Sequence, residues 1–161
     1  MTDNPITASA DLTAARQLWT SGRPLEAGRA LTALIPIEVR PRWAGRIVAW
    51  AYQRSRRKSE PEIMALVMAL AAGANREEAV AHRDTVAAIL ARVEQSGRFD
   101  SLHEALLTLA LNAARLLVAA AAPEAADPQE GWWFVASLKC VGDELDEGFA
   151  VEAWKRLRQI A

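Results

Sequence analysis

Two histidines, one cysteine and twenty carboxylates are the side chains in this 161-residue chain best suited to catalysis or metal binding. Cys140 lies in the run SLKCVG, on a stretch that reads as helix. A cysteine nucleophile reacts as the thiolate and needs a base or a cation beside it. Only His82 and His103 are available as partners, and neither lies near it in sequence, so Cys140 is expected to be a small buried apolar residue. The pairs Glu78/His82 and Asp100/His103 sit four and three apart, which places each pair on one helix face. A carboxylate-bridged metal site in a helical bundle needs further inward carboxylates on the facing helices. The preceding helices offer none, and Glu78 and Glu104 are better read as members of capping boxes that start at Asn75 and Ser101, a spacing that also occurs from Ser59 to Glu62. The acidic turn Asp143-Glu144-Leu145-Asp146-Glu147-Gly148 has the glycine of a calcium loop at the sixth position. Leu145 and Trp154 then fall where the third and twelfth positions need oxygen ligands, so calcium is not expected. The chain has no Gly-rich phosphate loop and no Gly-x-Ser-x-Gly elbow. No catalytic residue, cofactor or metal is expected.

Two other groups could meet a partner. Seven of the 19 basic residues fall between Arg40 and Lys58, and they end in Arg54, Arg56, Arg57 and Lys58. Residues 1–98 carry net charge +4 and residues 99–161 carry −5. That asymmetry is the pattern of an electrostatic contact with nucleic acid or an acidic protein. The pI near 6.1 argues against nucleic acid. A basic last turn is also the ordinary complement to the helix dipole. The second group is Trp132-Trp133. Adjacent helical residues point about 100° apart, so both indoles cannot readily face one core. One of them is expected at an interface, either under the linker or against another chain. Replacing Trp133 by Ala is then expected to weaken that contact while leaving thermal stability nearly unchanged.

The elements that must position these groups are helices. Alanine and leucine dominate the composition, and both are strong helix formers. No stretch alternates long enough to make a half-buried strand. Length and apolar content fit one soluble domain with a sizeable core. Residues 1–9 are expected to be a loose tail and residues 10–161 a single helical domain, with a linker over 122–131. The N-terminus shows neither a basic nor an apolar signal region, and one cysteine makes no intrachain disulfide, so a cytoplasmic location is expected. The preference for arginine over lysine and the abundance of alanine fit a GC-rich bacterial genome. Ala105–Ala122 is long and apolar, but Asn112 and Arg115 interrupt it, and it reads as a core helix rather than a membrane span.

Eight helices are expected, in four hairpins over 10–35, 41–72, 76–121 and 128–160. Pro41–Lys58 supplies the helix expected at the centre, because Trp43, Ile47 and Trp50 form one apolar stripe and Ala44, Val48 and Ala51 another. Leu25, Leu31, Leu34 and Ile35 are expected inward on the second helix. Val80, Val86, Ala87, Leu90 and Val93 are expected inward on the fifth. Gly22, Ser59 and Gly97 mark turns spaced by hairpin-sized intervals. The segments around Ser21-Gly22-Arg23-Pro24 and Ser96-Gly97-Arg98-Phe99 resemble tetratricopeptide-type hairpins, each followed by a Leu-x-x-Leu pair. The resemblance implies helical hairpins and an adaptor role. The fold expected is all-α, either a compact bundle or a short α-solenoid-like array. The function expected is a non-enzymatic interaction or adaptor protein acting through a helix surface. Its expected partner is another protein or a second copy of itself, not a membrane. Trp132, Trp133, Arg54, Arg56, Arg57 and Lys58 are its candidate contact residues. Nucleic-acid binding through Arg54–Lys58 is the second reading, and an enzyme with a site not visible in sequence the third.

Overall fold

Proline and glycine set the helix boundaries. The computed structural model describes residues 5–160, with side chains from Ala10 onward. Among them are eight α-helices: α1 (Pro5–Thr20), α2 (Pro24–Thr32), α3 (Arg40–Arg54), α4 (Pro61–Ala72), α5 (Arg76–Gln95), α6 (Ser101–Ala121), α7 (Glu130–Asp143) and α8 (Gly148–Leu157). A 3-10 turn at Pro123–Ala125 precedes α7, and no strand occurs among the described residues. Prolines open α1, α2 and α4 at positions where a missing N–H costs nothing. The first helix therefore begins at Pro5 instead of Ala10. Of the expected tail, residues 1–4 lie outside the described residues.

The caps differ in detail from the expected boxes. Asn75 accepts the Glu78 N–H at 2.8 Å at the start of α5. On α6 the cap is Asp100, which accepts from the His103 N–H at 3.1 Å, and not Ser101. Glu60, not Ser59, stands at the N-cap of α4 and makes no side-chain cap.

The first three hairpins form as expected, α1 against α2, α3 against α4 and α5 against α6. In the fourth, α8 packs only lightly on α7, which lies mainly on α2 and α6. In an open array each unit would meet only its neighbours. Here the last hairpin closes on the first, so the chain is a compact bundle. Glycine makes that closure possible. A Cβ on Gly28 would lie 2.8 Å from the Trp132 backbone, and one on Gly131 would lie 2.1 Å from the Thr32 methyl. The α2 and α7 backbones approach where neither helix carries a side chain.

The centre of the bundle is α6, which touches α3, α4, α5 and α7. Its apolar window has mean hydropathy 1.5 and is 61% buried inside the structure, as a core helix would be. Helix α3 is the second keel. Trp43 packs edge-on against Phe134, with ring centres 5.3 Å apart. Its indole N–H donates to the Leu157 carbonyl at 2.9 Å. Trp19 does the same to the Ala150 carbonyl, also at 2.9 Å. Two buried indoles thus reach α8, which also buries its own Phe149, Ala153, Trp154 and Leu157. Leu25 is exposed despite its place in the expected stripe, since α2 turns Ala27, Gly28 and Leu31 inward. On α5 the inward residues are Ala79, Val86 and Ile89, which leaves Ala87 in solvent.

Candidate functional site

The basic end of α3 is not an open cationic patch. Arg54 donates from Nε to Glu152 at 2.5 Å and from Nη2 to Asp146 at 2.7 Å, reaching α8 and the turn before it. Arg57 pairs with Asp100, the α6 cap, at 2.8 Å. The acidic turn supplies more such bonds: Asp143 pairs with Lys139, and Glu144 accepts from the Ser101 hydroxyl at 2.7 Å. The opposite charges of the two halves of the chain therefore meet inside the molecule. Among the described residues Arg56 and Lys58 make no ion pair, and both are exposed. Arg56 has φ 57°, the left-handed region. It closes α3 with the Arg56 N–H on the Gln53 carbonyl and the Arg57 N–H on the Tyr52 carbonyl. Gly22 closes α1 in the same way. The second hairpin turn thus has its left-handed residue, but it is an arginine.

The two tryptophans divide as their 100° separation requires. Trp132 is partly covered on α2, with the Arg29 guanidinium 5.4 Å from its ring centre. Trp133 remains 38% exposed, under Arg115 at 5.8 Å. Its carbonyl accepts from the buried Asn112 at 3.3 Å, and Arg115 donates to Asn112 at 3.0 Å. More than half of the Trp133 surface is covered, so truncating it also removes packing. Nearby, Glu130 has one buried, unpartnered carboxylate oxygen, and burial holds its pKa above the usual carboxylate range.

Of the candidate metal pairs, Asp100 and His103 turn to other partners. Asp100 caps α6, and His103 Nε2 instead meets Glu60 Oε1 at 2.7 Å. Beside this pair lies Tyr52, whose hydroxyl is buried without a partner and whose pKa is driven up by burial and by the Glu60 charge. This Tyr–Glu–His cluster brings together residues 43 apart on α6 and the α3–α4 turn, which no sequence spacing reveals. Among the described residues no three of His, Cys, Asp and Glu converge on a point. Cys140 is exposed. It was expected inside, but α7 buries Phe134, Val135, Leu138 and Val141 and turns Cys140 outward.

The feature sequence reasoning missed is on α4. Ile63, Leu66 and Leu70 are buried against α3 and α6. The opposite side carries Met64, Ala65, Met68, Ala71 and Ala72, all exposed, with Met64 at 58% and Met68 at 72%. From Ile63 to Asn75 the chain has no charged residue. That was the available signal. A helix apolar all round is ordinarily central. This bundle has two largely apolar helices, α4 and α6, and encloses only α6. The solvent faces of α3 and α5 are polar by comparison, with Arg42, Arg46 and Gln53 on one and Glu77, Glu78 and Asp84 on the other.

No protein-family model, no curated protein and no solved structure matches this chain.

Proposed function

We propose that this is a non-enzymatic helical interaction protein, an intracellular adaptor that binds another protein chain through the solvent face of α4. The observation that carries the reading is the uncovered stripe Met64, Ala65, Met68, Ala71 and Ala72. Apolar residues at such spacing are how one helix face seats on another. Methionine is flexible and polarisable, which suits a surface that must adapt to a partner. An exposed free thiol at Cys140 is in keeping with a reducing compartment. Trp133 and the Arg54–Lys58 end support the reading less well, because Trp133 is largely packed and Arg54 and Arg57 already have partners. For the same reason the nucleic-acid reading has little left to stand on: Arg56 and Lys58 alone are a small electrostatic footprint.

The test is co-purification of the tagged chain and of its Met68→Lys variant. Met68 touches solvent, so the variant folds and melts like the parent. Recovery of at least one bound chain, a second untagged copy included, should fall on the order of tenfold. Equal recovery of every bound chain from parent and variant would refute the reading.

A further inference from the structure

We propose that the cleft between α1, α7 and α8 is a binding site for a small apolar carboxylate, its apolar body over Trp19 and Trp154 and its charge on Arg16.

Helix α8 packs only lightly on α1 and on α7. The space left between the three helices has a volume of about 290 Å³. That is the lower end of the range for small-ligand sites, roughly 300–1,000 Å³. It has room for one or two rings, not for a peptide helix. Arg16, Trp19 and Thr20 line it from α1, and Ala150, Val151 and Trp154 from α8. Residues three and four apart share a helix face, so each helix turns one face to the cleft. Trp19 and Trp154 are 4% and 7% exposed and form the floor, while Val151 is 63% exposed and stands as an open wall.

The lining decides the charge of the ligand. The Trp19 N–H already donates to the Ala150 carbonyl at 2.9 Å, and the Thr20 hydroxyl to the Arg16 carbonyl at 3.0 Å. Neither has a donor left for a neutral polar ligand. The lining side chains with charge to offer are both cations, on two different helices, and among the described residues no carboxylate lines the cleft. Arg16 is exposed and, among the described residues, has no ion-pair partner. A guanidinium presents N–H groups in a fork that matches the two oxygens of a carboxylate. Lys139 of α7 pairs with Asp143, but an ammonium has three N–H donors and this pair takes one. Asp143 itself lies in the adjoining cleft, together with Asp146 and Glu147. That acidic neighbour repels an anion on its own side and favours the Arg16 end of the site.

Titration of the ¹⁵N-labelled full chain with 3-phenylpropanoate and with 3-phenylpropanamide, followed by NMR, tests the proposal. The two probes share a ring and a chain and differ in charge. The acid should bind with a dissociation constant on the order of 1 mM, and the amide about fivefold or more weaker. Shifts should centre on the Trp19 indole N–H and on Thr20 and Val151. Arg16→Gln should weaken the acid by about three- to tenfold and leave the amide unchanged. Val151→Asp sets a carboxylate in the wall and should weaken the acid on the order of tenfold. Both side chains are exposed, so each variant keeps the circular dichroism and melting of the parent. No saturable shift with the acid up to about 20 mM overturns the proposal. So do shifts centred away from the cleft, an amide that binds as tightly as the acid, or an Arg16→Gln chain that binds the acid as the parent does.

Discussion

Arg56 offers a sharp test of how the second hairpin turn is built. It occupies the left-handed position of a helix C-cap at φ 57°, where α1 uses Gly22 at φ 77°. For a residue with a Cβ this conformation costs about 1–2 kcal/mol, because the Cβ crowds the following carbonyl. Glycine avoids that cost but brings a more flexible unfolded chain, which takes back about 0.5–1 kcal/mol. Among the described residues the Arg56 side chain makes no ion pair, so its removal gives up little. Arg56→Gly should therefore stabilise the protein by about 0.5–1 kcal/mol, near the middle of that difference. For a chain of this size that is a rise in melting temperature of about 1–4 °C. Arg56→Ala is the control: it removes the same charge and keeps the Cβ, so it should melt at or slightly below the parent. The assay is urea and thermal denaturation of parent, Gly and Ala chains side by side. If the glycine variant is no more stable than the alanine variant, the turn is not strained at Arg56, and the parallel with Gly22 fails.

Gly131→Ala should destabilise by about 1–3 kcal/mol, since its Cβ would sit 2.1 Å from the Thr32 methyl. Thr32→Ser removes that methyl and keeps the hydroxyl, and in a double-mutant cycle it should recover part of the loss. Two carboxylates should leave opposite marks on stability against pH. Asp146 is held below the ordinary carboxylate range, chiefly by its hydrogen bond from Arg54, so it adds stability at neutral pH that disappears on acidification. The stability gap between parent and Arg54→Met should shrink as pH falls through and below that range, read from urea melts at neutral and acid pH. Glu130 is held above the ordinary range, first by burial, so its charged form costs stability at neutral pH. Glu130→Gln should stabilise at neutral pH, and the gain should fade once pH drops below the carboxylate range, where the parent is protonated as well. Cys140 should react with a thiol reagent in the native protein at close to the rate seen in denaturant, because it is exposed on α7; strong native protection would show α7 turned the other way.

The helices were legible in the sequence, because their punctuation is local. Pro24, Pro61, Gly22, Gly73 and Gly97 act through their own backbone preferences, whatever they pack against. Trp43 and Ile47 lay on a periodic stripe and are buried as their spacing requires. What could not be read were pairings between distant elements. The charge asymmetry between the halves looked like an appeal to an outside partner, because nothing local shows that Asp146 and Glu152 come to rest on Arg54. Which of two largely apolar helices is enclosed is likewise a property of the assembled bundle, so the exposed side of α4 stayed hidden in a pattern that suits a core helix equally well. Arg56 escaped notice because arginine carries no signal for a left-handed turn.

The contact between α2 and α7 has a consequence for how the chain folds. The hairpins α1–α2, α3–α4 and α5–α6 are closed by a few residues each and can form early and independently. Joining Gly28 to Gly131 instead closes a loop of about 100 residues, a conformational entropy loss recovered only once the glycine-to-backbone contacts are made. Docking of the C-terminal helices is thus the late, long-range event that commits the chain. A nascent chain that has not yet delivered α7 leaves the Gly28 and Thr32 side of α2 without the surface that covers it, and it is then most exposed to aggregation.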